Sequence, residues 1–316
     1  MLSFTGDLYL KEKVEVNVDL PYPFIVNLEY PIVNDLSAPA SGKVNLGVDR
    51  GWLLESFKRK PFGVCLANNH ILDYGSPGAD STLEYLIRND IKFFGFGNKL
   101  NNYNNPLNIV TNNNEEIDVF GYCDSSTSPT SNEKFQVAPL SIELISQDIL
   151  SSNAKIKIVC LHWGDEENSY PSRYERLLAS KIAKLGVNYI IGHHAHVIQP
   201  IENIGECKVF YNLGNFYFPN IEEPYGWDGT KFKGKYRKLQ SQKNKQGLLV
   251  DINERGASYR TIENDDNTIS ENQTIKLPRI TFASVMYPIC HRSKVITIML
   301  KRFLKKPRLP NYKQIK

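Results

Sequence analysis

Five extended, apolar runs in this chain finish on, or carry near their C-terminal ends, a side chain able to hold a metal. Asp7 lies in the run Leu2–Leu10, and Glu29 lies in Phe24–Ile32. Asn68, Asn69 and His70 end Gly63–His70. His162 closes the apolar part of Ile156–Gly164, and His194 and His196 follow Val187–Gly192. In open α/β sheets ligands bind outside the carboxyl ends of the strands. Residues far apart in sequence can therefore meet at one place, and this pattern constrains the fold more than composition does.

The segments between these runs support layered α/β architecture. Pro77–Asp90 has helical spacing, with Leu83, Leu86 and Ile87 as its apolar stripe and Pro77 in the first turn. Ser172–Gly186 reads as a second helix, with Ser172 as N-cap, Leu177, Leu178, Lys181, Ile182 and Leu185 at helical spacing, and Gly186 past its end. Lys92–Gly97, Ile117–Cys123, Lys208–Phe218, Gln246–Asn253 and Ala257–Glu263 read as further strands. Asn101–Asn114 and Asn220–Lys245 read as loops, and Asn264–Asn272 as a polar linker. Ser293–Lys306 reads as a last helix with one apolar face. The expected division is a domain over 1–263 and a linker with a basic helical tail over 264–316.

With 316 residues, 41% hydrophobic and 23% charged, the chain can bury a core without staples. Its five cysteines are scattered without CxxC pairing and are expected to be reduced thiols. No run approaches the ~20 apolar residues of a spanning helix, and no signal-peptide pattern stands at the N-terminus. A cytoplasmic protein is expected, with peripheral membrane association as an option. The net charge of +4 hides an asymmetry. From Arg279 onward there are 10 Lys+Arg and no acid, which leaves 28 basic against 34 acidic residues in the body. A second basic run spans Lys231, Lys233, Lys235, Arg237, Lys238, Lys243 and Lys245. Each block has two readings. The run 231–245 is a solvated loop or a cover that attracts an anionic substrate. The tail packs on protein, or docks on an anionic membrane surface or a capsule-synthesis partner. No nucleic acid is expected, because the body is net acidic.

Taken singly, these polar residues are ordinary turn or buried groups. His194-Ala195-His196 is more specific, because His-x-His on extended backbone would put both imidazoles on one side, where they suit a first-row metal. His70 and Asp73 stand three apart. In a helical turn Asp73 would fix the tautomer of His70 and raise its basicity; a simple turn or cap interaction of Asp73 is the other reading.

In order and spacing, several motifs resemble the CapA-type family of bacterial capsule and poly-γ-glutamate synthesis proteins, part of the calcineurin-like metallophosphoesterase superfamily. They are Gly6-Asp7, Asn27-Leu28-Glu29-Tyr30-Pro31, Ala67-Asn68-Asn69-His70-Ile71-Leu72-Asp73-Tyr74-Gly75, Gly95-Phe96-Gly97, His162-Trp163-Gly164-Asp165-Glu166 with Pro171, Gly192-His193-His194-Ala195-His196 through Glu202, and Tyr211-Asn212-Leu213-Gly214-Asn215-Phe216. The resemblance covers about residues 2–253. It implies a four-layer α/β/β/α sandwich with one or two divalent ions (Mn, Fe, Zn or Co) at the strand ends. Asp7, Glu29, Asn69, His162, His194 and His196 match the metal shell. His70 matches the histidine that approaches the leaving group, with Asp73 behind it, and His162 would also stabilise the developing oxyanion. Asn68, Gly95, Gly97, Glu166 and Asn215 are expected near substrate.

The superfamily usually has Asp-x-His at the first strand, whereas this chain has Tyr9, and Glu29 stands where the superfamily has a bridging Asp. One ion, or two of which one is weak, are both open. The implied activity is metal-dependent hydrolysis of a phosphoester or an amide bond in an anionic polymer. The alternative is a non-catalytic capsule or exopolymer assembly factor that keeps the fold.

Overall fold

The structure is a computed structural model and describes residues 1–281 apart from 101, 112, 126–129 and 266. The chain opens with β1 (Leu2–Leu8), β2 (Glu15–Val16) and β3 (Phe24–Leu28), then α1 (Leu53–Ser56), β4 (Gly63–Cys65), α2 (Gly75–Arg88), β5 (Lys92–Phe94), β6 (Phe96–Asn98) and β7 (Leu107–Val110). Next come β8 (Glu116–Cys123), β9 (Phe135–Val137), α3 (Ile142–Ser151), β10 (Ile156–His162), α4 (Arg173–Ala183), β11 (Tyr189–His193), β12 (Ile201–Ile204) and β13 (Cys207–Phe210). The described part finishes with β14 (Asn215–Tyr217), β15 (Ile221–Tyr225), β16 (Gly234–Lys238), β17 (Gln246–Asn253), β18 (Gly256–Asp265) and β19 (Thr268–Glu271).

This is an α/β fold, rich in strands. A nine-stranded sheet has the order β2-β19-β18-β17-β1-β3-β4-β5, with β14 pairing β1, and a six-stranded sheet has the order β12-β13-β11-β10-β8-β7. β1, β3, β4 and β5 run parallel, as do β8, β10, β11 and β13. Side chains alternate across a strand, and β10 shows the consequence. Ile158 and Cys160 join an apolar cluster with Phe4, Val26 and Val64 of the larger sheet. Val159 and Leu161 join a second cluster with Ile145 and Ile149 of α3 and Leu178 and Ile182 of α4. The strand is covered on both faces, so its sequence is a continuous apolar run. Each such buried side chain contributes about 1.5–3 kcal/mol.

α4 follows its sequence signals closely. Ser172 accepts from Glu175 N while the Glu175 side chain accepts from Ser172 N, a complete capping box, and Gly186 takes φ +87° beyond the helix. The expected stripes need correction. Ile87 of α2 is 67% exposed and Leu177 of α4 is 54% exposed, because the packed faces are Gly78, Ala79, Thr82 and Leu86 in one helix and Leu178, Ala179 and Ile182 in the other.

Three segments expected to be irregular are not. Residues 101–114 contain β7, and 220–245 contain the antiparallel hairpin β15–β16. The expected linker 264–272 holds the end of β18 and all of β19, which pairs with β18 and carries β2 at the sheet edge. α3 had no expected counterpart. The four described cysteines are free, as expected, and all four are buried. Among the described residues no helix is long and apolar enough to cross a membrane. The basic tail and the helix expected over Ser293–Lys306 lie outside the described residues.

Candidate metal centre

The C-terminal ends of parallel strands from both sheets meet at one buried cluster. Asp7 sits near the end of β1, paired in register with Asn27 of β3, and Glu29 follows β3 directly. Asn69 lies in the turn after β4. His162 is the last residue of β10, in register with His193 at the end of β11, and His194 comes next. Asp7, Glu29, Asn69, His162, His194 and His196 are all buried.

His194 and His196 reach the cluster without the extended backbone expected of them. β11 ends at His193, and the two histidines take φ +91° and φ +56° rather than extended backbone. Positive φ is uncommon for non-glycine residues and costs about 1–3 kcal/mol each, strain that concentrates at functional sites. The two rings still face one region, with centroids 6.2 Å apart.

The donor atoms form two groups that share Glu29. Glu29, His162 and His194 make the first, and Asp7, Glu29 and His196 the second; within each, one donor atom per residue lies within 4.8 Å of the others. In the first, His162 Nε2 is 2.8 Å from Asn69 Oδ1, 3.1 Å from His194 Nδ1 and 3.5 Å from Glu29 Oε1. In the second, His196 Nε2 is 3.6 Å from Glu29 Oε1, and Asp7 Oδ2 is 3.4 Å from the same ring. Asp7 is oriented by Asn27 Nδ2 at 2.8 Å and by His194 N at 3.0 Å. Asn215 Nδ2 donates to Asn244 O at 2.8 Å, so its Oδ1 faces His196 Nδ1 at 2.9 Å and accepts from it. That bond leaves Nε2 of His196 unprotonated and free to bind.

The electrostatics suit a divalent cation. Both oxygens of Glu29 are buried without a hydrogen-bond partner. Burial, and then the neighbouring Asp7 carboxylate, push Glu29 well above the usual carboxylate range; burial also raises Asp7. Burial lowers the histidines, His194 to about 4 and His196 to about 3, with His162 well below its ordinary value. Neutral imidazole is the form that binds metal. Two buried carboxylates beside neutral imidazoles, with Glu29 lacking any hydrogen bond, are unfavourable alone and become favourable around a divalent ion. Mixed oxygen and imidazole donors suit a first-row divalent metal.

His70 stands beside this cluster, at the edge of solvent. Its Nδ1–H donates to Asp73 Oδ2 at 2.6 Å in the i,i+3 turn, and Asp73 Oδ2 also accepts from Leu46 N at 2.7 Å. Burial, then the Lys43 ammonium, lower the His70 pKa. Lys43 was not foreseen; it lies in an irregular segment with no periodicity or motif to mark it.

Other expected substrate contacts sit differently. The Asn68 amide is buried, donating to Leu28 O at 2.8 Å and accepting from His70 N and Ile71 N, so it braces the turn. A Cβ on Gly95 (φ +77°) would lie 2.6 Å from Ala67 Cβ, and one on Gly97 2.6 Å from Asn102 Oδ1. These glycines answer to close packing of backbone. Asn215 positions His196. Glu166 is exposed and ion-paired with Lys238 of β16 at 3.2 Å, and Lys238 also reaches Glu167 at 3.1 Å. Tyr9 carries no donor into the cluster. Its ring packs against Tyr30 and Phe218, and its hydroxyl donates to Glu223 at 3.3 Å.

The fold and site together define an α/β protein with an oxygen-and-imidazole donor cluster where its parallel strands end. The sequence profile described as "Bacterial capsule synthesis protein PGA_cap" matches residues 10–220, and the chain belongs to that family. It is 33% identical over 176 residues to "Capsule biosynthesis protein CapA" of Bacillus anthracis, covering 52% of this chain and 41% of that protein. It is 32% identical over 169 residues to "PGA biosynthesis protein CapA" of Bacillus subtilis (strain 168), covering 52% and 43%. The matched segment thus spans less than half the length of either curated relative. The fold is also similar to a hypothetical protein from Thermus thermophilus, with a TM-score of 0.46 and 12% identity over 86% of this chain and 99% of that one.

Proposed function

We propose that this chain is a metal-dependent hydrolase acting in capsule or exopolymer biosynthesis, on a phosphoester or amide bond of an anionic, poly-γ-glutamate-like polymer or its precursor. The observation that carries the reading is Glu29, whose two buried, unpaired oxygens are common to both donor groups. The finer architecture proposed is the α/β/β/α layering, with α2 outside the larger sheet and α3 and α4 outside the smaller. The relatives' names support the polymer, and the site chemistry supports the hydrolysis.

Asp7, Glu29, Asn69, His162, His194 and His196 would hold one or two divalent ions. A bound ion of this kind supplies Lewis acidity and lowers the pKa of a water towards ~7. Asp7 and Glu29 provide the negative charge that retains a dication. Asn215 keeps the His196 tautomer. His70, tied at Nδ1 to Asp73, presents Nε2 to the leaving group and would donate from it as the imidazolium, the form that Asp73 favours against burial and Lys43. His162 would stabilise developing negative charge through the ion it helps to hold. The hairpin β15–β16 presents Lys231, Lys233, Lys235 and Arg237 and is pinned near the centre by Lys238, so it is suited to collect an anionic chain. The tail beyond residue 281 is proposed to dock the protein at an anionic membrane surface or a capsule-synthesis partner. Co-sedimentation independent of anionic lipid would discard the membrane arm.

The decisive measurement is metal content of protein purified without chelator, beside the His194→Ala/His196→Ala variant. Near-stoichiometric transition metal, lost in the variant, is expected. His70→Ala should retain the metal and lower turnover on phosphoesters or γ-glutamyl amides by about 10²–10⁴-fold. No metal in either protein after incubation with Mn or Zn would refute the reading. Tyr9, packed among aromatic rings where the superfamily pattern has an imidazole, favours the second reading, a non-catalytic assembly factor.

A further inference from the structure

Lys43 is a mostly buried cation that the proposed chemistry leaves unused. Its side chain is 16% exposed, and the Asp73 carboxylate it meets is 1% exposed. Its Nζ donates to Asn69 O at 2.6 Å and to Asp73 Oδ1, and lies 3.4 Å from His70 Nδ1. An ammonium has donors only. His70 Nδ1 already spends its proton on Asp73 Oδ2, so the contact of Lys43 with that ring is proximity, and its bonds are to Asn69 and Asp73.

These bonds belong to a clasp. Ala40 N donates to Asp73 O at 2.7 Å, and Leu46 N donates to Asp73 Oδ2 at 2.7 Å. Asn45 Nδ2 donates to Ala40 O at 2.9 Å and braces the segment on itself. Residues 40–46 therefore grip both oxygens of the carboxylate behind His70. Lys43 alone also grips the backbone of Asn69, which carries a metal donor. Without Lys43, Asp73 Oδ1 loses its bond in a buried place, and the carboxylate is free to rotate towards other donors.

We infer that Lys43 is a positioning residue. It locks the Asp73 carboxylate in the orientation that aims His70, and it fixes the proton donor relative to the Asn69 turn. It acts without touching substrate. The inference rests on the reading of His70 as proton donor, and the clasp is also attached beyond the site. Val44 forms an antiparallel bridge with Tyr225 of β15. The basic hairpin and the His70 bracket are thus joined one residue from Lys43.

The test uses the metal-loaded full chain with Lys43→Met, and with Lys43→Cys aminoethylated to restore an ammonium at nearly the lysine position. Two esters are compared, p-nitrophenyl phosphate, whose leaving group needs little protonation, and a simple alkyl phosphate, whose leaving group needs it. Lys43→Met should lower kcat on the alkyl ester by about 10²-fold, as for loss of a general acid, with KM, metal content and the p-nitrophenyl rate kept. Aminoethylation should restore the alkyl rate. Equal losses on both esters would mean a structural role, and a raised KM with kcat kept would mean an anion-binding role; either overturns the inference. A second readout does not depend on turnover. The His70 Nδ1 proton, held by Asp73, should give a low-field NMR signal that Lys43→Met loses and aminoethylation returns. Persistence of that signal in Lys43→Met overturns the positioning role. If the signal behaves as expected while the wild-type protein cleaves neither ester, the positioning stands and the hydrolase reading fails.

Discussion

Glu29→Gln separates a metal donor from a structural carboxylate with one change. In the metal-free protein Glu29 is fully buried, neither oxygen has a hydrogen bond, and Asp7 lies close enough to raise it. A neutral amide ends that repulsion and is easier to bury than a carboxylate. The metal-free variant should therefore be no less stable than metal-free wild type. With metal the order reverses. An ion at 100 times its Kd stabilises the wild-type fold by about 2.7 kcal/mol. At about 2 °C per kcal/mol for a chain of this size, that is a rise in Tm of ~5 °C. Loss of a donor shared by both groups should weaken binding by at least the 10–100-fold seen for groups one step further out. A 100-fold loss leaves the same ion at its Kd, where stabilisation is about 0.4 kcal/mol and the rise ~1 °C. Thermal unfolding by circular dichroism, with and without Mn, reads all four states. If the metal-free variant melts several degrees lower and the metal-induced rise is unchanged, Glu29 is not a ligand and the reasoning fails.

Asn215→Ala removes the acceptor on His196 Nδ1; metal affinity should fall about 10–100-fold in a titration, while the metal-free protein keeps its fold. Gly95→Ala forces a left-handed φ and places Cβ 2.6 Å from Ala67 Cβ, so unfolding in urea should show a loss of about 1–3 kcal/mol; an unchanged midpoint would show that the Gly95–Ala67 approach is not tight. Lys231→Gln/Lys233→Gln/Lys235→Gln leaves the Lys238 pairs with Glu166 and Glu167 in place and should raise KM for an anionic polymer at low salt, with the difference shrinking as salt rises; an unchanged KM at low salt would discard the hairpin as a substrate guide.

What the sequence disclosed follows the physics of each signal. β10 and β11 are covered on both faces, so their apolar runs stand out, and the polar residue that ends each run marks the site. α4 carries its boundaries in Ser172, Glu175 and Gly186, which act locally. By contrast, β15 and β16 are short and exposed, and β19 pairs at a sheet edge. Their residues alternate weakly, and their strand character comes from pairing partners that a linear reading does not contain. The same holds at the site. Asp7, Glu29 and the histidines were legible because each sits at a strand end. Lys43 and Asn244 were not, since each matters only through a residue brought beside it by the fold. The His194–His196 geometry was legible in outcome and misread in cause. The rings converge because two residues accept positive φ, a strain that no residue pattern announces.

Tyr9 gives the two donor groups unequal strength, and this decides what kind of centre the cluster would form. The first group has Glu29, His162 and His194, and Asn69 Oδ1 stands 2.8 Å from His162 Nε2. The second has Asp7, Glu29 and His196. A histidine two residues after Asp7 would have added an imidazole, but Tyr9 turns its ring into the contacts with Tyr30 and Phe218 and its hydroxyl to Glu223. Glu29 is the residue the two groups share, so an ion in the first group would neutralise the charge that would otherwise hold a second. Four donors against three, with one held in common, argue for sequential binding. On that reading one ion would bind tightly at the His162–His194 side, and a second would bind weakly at the His196 side and be stripped first by dilution or chelator. A calorimetric titration of metal into stripped protein should resolve two steps of different affinity. Only the weaker step should respond to Asn215→Ala, because Asn215 orients His196 alone. Two equal steps, or a response of the tight step to that variant, would contradict the asymmetry.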